Sequence, residues 1–531
     1  SLYTRKRPPV GDLFRQAEAT DNVLSVAFCY VYLVSRQRAH QLVLPSVFLK
    51  GRFFMTQEQN LLSGSVPGKL IAFALPLLLA NILQSFYNVV DMLVVGQFVG
   101  ETGLAAISNA SKLCYIINSI CIGMTMGGAV LIAQYKGANN KKDQAETFQM
   151  LSMLSLAASI LLTVISLAGY QPLFRALKVP ADALGDACDY MKIICYGTVF
   201  VFGYNAVCSV LKGLGDSKSP LCFVGIATII NVGLDIILVG PLGMGTIGAA
   251  YATVTAQGIS FVISLFYLKR YRVFFGTAEC KKLAVQWDKI VAILKIGLPT
   301  AIQMVIVNTA YLLVTGILNQ FGTSVSAASG VGLQINTFAG MPCWAVGQAV
   351  TAMVGQCMGA EQTERARKVV KIGLLVNIAM TLVVVLCVQV FAEQLILLFG
   401  NNSREAVTDG VYYLRVCCGV NSLIYAAMYT LDSFAIGVGA ANVAMLNALL
   451  DAVVVRLPVS WTLAFTLGMG FPGIYFGQAL SPILPASVGF IYFKSGIWKR
   501  KSLIQKAVRR GTLCPKCKQE TLINVKKTNC Y

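Results

Sequence analysis

Apolar residues run through this chain in long, almost unbroken blocks, with the polar positions gathered in short intervals between them. A block of about 18 or more apolar residues crosses a bilayer as a helix. Twelve such blocks lie near residues 68–98, 105–134, 146–170, 186–211, 219–240, 246–268, 288–320, 327–356, 367–399, 410–435, 440–466 and 472–493. The first and seventh are longer than one crossing needs, which leaves room for tilt or a kink. The pattern predicts an all-α polytopic membrane protein of twelve transmembrane helices.

The blocks repeat. "FALPLLLANILQ" around Pro76 returns as "IGLPTAIQMVIV" around Pro299, 223 residues later. Gln134 and Gly137 match Gln356 and Gly359 at an offset of 222. Gly213 and Gly215 match Gly437 and Gly439 at 224, and Gly243 and Gly245 match Gly468 and Gly470 at 225. Four anchors in one order, drifting by three residues, predict two six-helix lobes, residues 55–275 and 276–493. An even number of crossings per repeat gives both lobes the same orientation, related by an axis along the membrane normal.

Polar residues inside the blocks break this symmetry. In "CFVGIATIINVGLDIILVGPLGMG" (222–245), Asn231 and Asp235 stand four residues apart, on one face of a helix. Their matches are Val455 and Val459; Asp91 in the first block matches Val314, and Thr253 matches Gln478. Asn447 and Asp451 repeat the Asn-x-x-x-Asp spacing in a different register. An ionised carboxylate is costly in a low-dielectric core, so it takes up a proton or gathers a cation. Two carboxylates together make a site that gains and loses a proton, and oxygen neighbours such as Asn231 and Thr253 suit a hard cation such as Na⁺. The competing reading is that these groups only join helices by hydrogen bonds. Gln84, Tyr87 and Asn88 precede Asp91 by one to two turns and are candidates to line a cavity. Pro76 on the same helix is a candidate hinge.

Charge changes the picture next. The formal net charge of +20 resembles a nucleic-acid signal, but residues 1–54 contribute +5 and residues 494–531 +10. Within the block of helices, Lys and Arg gather in alternate connections such as "YKGANNKKDQ" and "AEQTERARK", with Arg365 among them. Lys and Arg concentrate on the cytoplasmic side, so both ends of the block are expected in the cytoplasm, at the plasma membrane. The arrangement gives no reason to expect nucleic-acid binding. Residues 1–54 read as a basic extension before a natural start at Met55, and 494–531 as a basic cytoplasmic tail. The 16 cysteines lack the paired spacing of a disulfide framework. Cys514 and Cys517 form a single CxxC, which falls short of a full zinc site and reads as part of an unstructured tail. The lone histidine, His40, lies in the extension.

These features in order are the "AQYKGA" and "GQCMGA" turns, "LKGLGDSKSP" opening the fifth helix, "INVGLDIIL" within it and "IGAAYATVTAQ" in the sixth. Together with Pro76 and Asp91, they make residues 55–494 resemble the multidrug and toxic compound extrusion (MATE) family. The resemblance implies a secondary antiporter in which H⁺ or Na⁺ enters while drug-like, often cationic, organic compounds leave. It assigns the coupling cation to Asp91, Asn231, Asp235 and Thr253. Other members carry an acid on helix seven, where this chain reads "AIQMVIVNTAYLLV", so coupling is expected in the amino lobe, with Asp451 and Arg456 as a secondary pair. No cofactor, catalytic residue or bound metal other than Na⁺ is expected, and a monomer suffices. No Walker A motif or nucleophile elbow is present, which argues against an enzyme. The alternatives are a lipid-linked saccharide flippase of similar architecture, which would need a basic cavity, and a channel or scaffold.

Overall fold

The computed structural model describes residues 60–176, 179–269, 285–398, 404–419 and 421–500. Residues 1–54 with His40, and Cys514 and Cys517 of the tail, lie outside the described residues. Among the described residues the regular elements are all helical. They are α1 (Val66–Phe98), α2 (Glu101–Gly137), α3 (Lys141–Ala176), α4 (Ala181–Leu214), α5 (Lys218–Val239), α6 (Gly245–Leu268) and α7 (Trp287–Leu318). Then follow α8 (Thr323–Gly359), α9 (Thr363–Val390), the short α10 (Ala392–Leu397), α11 (Arg404–Cys417) and α12 (Asn421–Val438). The last two are α13 (Ala441–Thr466) and α14 (Phe471–Ser495).

Among the described residues, ten helices are long and apolar enough to cross a membrane, or eleven if α11 and α12 form one broken span. The tenth apolar block, 410–435, is therefore divided between two helices rather than continuous. Helix α8 equals α2 in length, 37 residues each, yet falls short in apolarity. Its residues from Ala345 to Gly359 are buried apart from half-buried Gln348. Protein rather than lipid surrounds that stretch, so it tolerates Thr, Gln and Gly.

Small residues bring helices close. Gly123 and Gly127 of α2 lie against Ala301, the Ile293 carbonyl and Gly297 of α7, where any added Cβ would overlap backbone. Close backbone approach of this kind is how helices associate in lipid, where no hydrophobic drive separates protein from solvent. At the ends of α2 and α8 the contact is reciprocal. Gln134 Nε2 donates to the Gly437 carbonyl at 3.2 Å, and Gln356 Nε2 donates to the Gly213 carbonyl at 2.9 Å. Gly137 abuts the Gln356 carbonyl and Gly359 the Gln134 carbonyl, each with no room for a Cβ.

Arg365, expected only to set topology, does more. Its guanidinium donates to the carbonyls of Leu61, Ser63 and Gly64, tying the segment before α1 to the start of α9. Leu61 is fully buried in a core that includes Phe434, Phe493 and Trp498. Helix α13 is wound more loosely at Leu450–Arg456 and Thr462–Thr466, as π-helical turns. In an α-helix, residues five apart point to different faces; the wider turn brings Asp451 and Arg456 together at 2.7 Å.

Candidate functional site

Helix α1 packs along α5 and reaches α6, and α5 packs on α6. The last third of α1 turns Asp91, Val94 and Val95 inward, while α5 buries Thr228, Asn231 and Asp235 along one face. The four-residue spacing of Asn231 and Asp235 stacks them on the side that meets Asp91. Exposure falls to 7% for Asp91, 1% for Asn231 and 0% for Asp235, so these groups are shielded from solvent and lipid alike. The carboxyl groups of Asp91 and Asp235 lie close enough to interact, with Asn231 beside them.

Hydrogen bonding in this cluster is sparse. The Thr253 hydroxyl donates to Asp91 Oδ2 at 3.4 Å, and Asn231 Nδ2 donates to Thr253 Oγ1 at 3.5 Å. Both lengths are at the outer limit for such bonds. Four oxygens, Asp91 Oδ1, Asn231 Oδ1 and both of Asp235, have no hydrogen-bond donor among the described residues. Buried polar atoms are nearly always satisfied, and a concentration of exceptions in one place calls for an explanation. All four are hard oxygen acceptors on three neighbouring residues. The donor set fits a proton shared between two carboxyls, or a small hard cation held by carboxylate and amide oxygens.

An open cleft of roughly 330 Å³ adjoins the cluster, lined by Gln84, Tyr87, Tyr204, Asn231, Thr253 and Gln257 among others. Gln84 and Tyr87 thus meet Asn231 and Thr253 around one space, while Asn88 is exposed and does not line it. Pro76 lies inside α1, buried, nearly three turns from the helix start; α1 continues through it. Tyr190 of α4, whose phenol comes within electrostatic range of Asp91 and Asp235, gave no signal in the sequence because tyrosines are common at helix packing surfaces. The positions matched to Asp91 and Thr253 meet as well: Val314 and Gln478 line a smaller cleft of roughly 200 Å³ with Tyr311.

Sequence reasoning passed over one buried acid. Asp432 of α12 is 3% exposed; it accepts from Asn447 Nδ2 at 2.6 Å and from Gln303 Nε2 at 3.5 Å. Asn447 therefore serves Asp432 rather than forming a pair with Asp451. Asp451 instead binds Arg456, whose guanidinium also lies over the Tyr311 ring at 4.3 Å. The signal for Asp432 was present, an acid inside the apolar run "YTLDSFAIGVG", just before the repeated glycines. The two halves differ in chemistry. In the first, the paired carboxyls of Asp91 and Asp235 have one long bond from Thr253 and three oxygens without a donor among the described residues; in the second, Asp432 and Asp451 have an amide and a guanidinium partner.

Comparison with known proteins is consistent with this geometry. The MatE family profile matches the chain twice, over residues 76–237 and 299–462. The Bacillus subtilis probable multidrug resistance protein YpnP is 29% identical over 441 residues, covering 83% of this chain and 97% of that protein. The Thermotoga maritima probable multidrug resistance protein NorM is 24% identical over 450 residues, 82% and 94% of the two chains. Among solved structures, a MOP superfamily transporter from Pyrococcus furiosus superposes with a TM-score of 0.78 at 21% identity, covering 83% of this chain and 98% of that one. A profile matching both halves, over most of the helical block, assigns this multi-pass membrane protein to the MatE family of transporters.

Proposed function

We propose that the chain is a cation-coupled antiporter that exports small organic compounds, many of them cationic, by alternating access. Twelve crossings form two six-helix lobes, 55–275 and 276–493, with both chain ends in the cytoplasm of a plasma-membrane protein that works as a monomer. The doubled profile match supports the two-lobe reading. So do the matched glycines. Gly215 and Gly439 both adopt left-handed φ, +95° and +88°, at the ends of their helices. The names of the relatives, multidrug resistance proteins, support the substrate class.

The observation that carries the coupling assignment is the buried Asp91–Asp235 pair beside an open cleft, with only the long Thr253 bond to Asp91 Oδ2 and no donor on its other three oxygens among the described residues. Both carboxyls cannot stay ionised side by side in a low dielectric. One H⁺ or Na⁺ between them relieves that repulsion, and its departure restores it. Asn231 and Thr253 supply the remaining oxygens; Thr253 links the pair to the cleft through α6. The cation acts on transport only if it binds the two conformations of the lobe differently. Helix α1 is the element positioned to respond, since it carries Asp91, Tyr87 and Gln84 on one rod with Pro76 as its hinge. The reading contains no covalent step and no cofactor.

Efflux of a fluorescent organic cation from everted vesicles tests this, under separately imposed ΔpH and Na⁺ gradients. Wild type should export dye under one gradient, and Asp235→Asn and Asp91→Asn should lose at least about tenfold in rate while reaching the membrane normally. Variants that export like wild type would overturn the site assignment.

A further inference from the structure

Lys212 stands in the last turn of α4, at the end of the bundle where the Gln–Gly contacts lie. Its neighbour Gly213 accepts from Gln356, but the Lys212 ammonium donates to Gln348 Oε1 at 2.9 Å. Gln348 and Gln356 are eight residues apart on α8, about 12 Å at 1.5 Å per residue. A lysine near a helix end in a membrane ordinarily extends towards the nearer water. This side chain runs the other way, two turns deeper than its own backbone neighbour.

Its partner is also unusual. Two other cations packed into the bundle each hold a carboxylate: Lys289 meets Asp143 at 2.6 Å and Arg456 meets Asp451 at 2.7 Å. Lys212 has a neutral amide, and among the described residues no carboxylate lies within ion-pair distance. Gly213 and Gln356 are buried beneath, whereas Lys212 and Gln348 remain half-buried. Tyr204, Cys208 and Lys212 occupy successive turns of one α4 face, four residues apart. Tyr204 lines the cleft beside the acidic pair. The stripe therefore leads from that cleft down to an ammonium lacking an acid.

We infer that Lys212, presented by Gln348, recognises an anionic oxygen group on the transported compound. The substrates then include organic acids and zwitterions besides cations, with the negative group held at Lys212 and the rest of the molecule towards the cleft. The inference rests on the transport reading above and specifies its substrate class. A fixed positive charge at partial burial favours a carboxylate by charge-assisted hydrogen bonding. An amide partner leaves the ammonium free to exchange, which a carboxylate partner would not.

The test compares tetramethylrhodamine, which carries a carboxylate, with tetramethylrosamine, the same xanthene cation without it. Binding to the full chain in detergent is read by fluorescence anisotropy for wild type, Lys212→Gln and Lys212→Arg. Wild type should prefer the carboxylate dye; Lys212→Gln should weaken that dye by about tenfold or more and leave the rosamine unchanged; Lys212→Arg should retain the preference. No preference in wild type, or the same preference in Lys212→Gln, overturns the inference. Equal weakening of both dyes also overturns it, because Lys212 would then only brace α4 against α8. Gradient-driven rosamine efflux, measured on the same proteins, reports the antiporter reading separately.

Discussion

Two buried acids in this protein have opposite physical circumstances, and their substitutions should separate. Asp451 is bonded to Arg456 at 2.7 Å, and both are nearly inaccessible. Removing one member of a buried pair strands the other charge, at a cost of about 3–5 kcal/mol. Asp451→Asn should therefore lower the melting temperature of the detergent-solubilised protein, and Asp451→Leu combined with Arg456→Met should recover most of the loss. Asp235 has no donor on either oxygen. Asp235→Asn removes no bond and lessens a repulsion, so it should melt at or above the wild-type temperature while losing efflux. A fall comparable to that of Asp451→Asn would instead make Asp235 a structural residue. Separating function from stability in this way is usual where a site is built at the expense of stability. Both acids were visible in the sequence as carboxylates in apolar runs. The sequence also set Arg456 five residues after Asp451, but that the two side chains meet depends on a π-helical turn that no periodicity announces.

At the scale of the helix, the ends of α2 and α8 carry the tightest contacts. A methyl group at Gly359 would overlap the Gln134 carbonyl, and backbone cannot yield as a side chain does. Overpacking of this kind costs about 1–3 kcal/mol, and relief requires the two helix ends to part. Cys357, fully buried two residues back, offers a native reporter. Gly359→Ala should raise its modification by a maleimide, located by mass spectrometry, whereas Gly316→Ala, with open space around it, should not. Unchanged Cys357 reactivity in Gly359→Ala would show that the contact gives way without opening. The sequence matched Gly137 to Gly359 and Gln134 to Gln356 as a repeat. It contained no sign that each glycine would rest on the other half's glutamine.

For the molecule as a whole, alternate basic connections predict that both ends lie on one side. A tag after Tyr531 should be protected from protease in right-side-out vesicles and cleaved in everted ones; the reverse pattern would refute the topology. The helical blocks, their repeat and the polar residues Asp91, Asn231 and Asp235 follow from composition and spacing, because a bilayer demands continuous apolar helices and penalises each polar residue within them. Local sequence carries that information, since each helix satisfies its own backbone. Partnership is a different matter. Lys212 meeting Gln348, Asn447 serving Asp432 and Gln356 reaching the Gly213 carbonyl each join residues from separate helices. Such pairs depend on helix rotation and depth to within a few ångströms, which are set by packing of small residues across the bundle. Only the assembled structure decides them, and they separate a carboxylate paired across helices from one whose oxygens have no donor among the described residues.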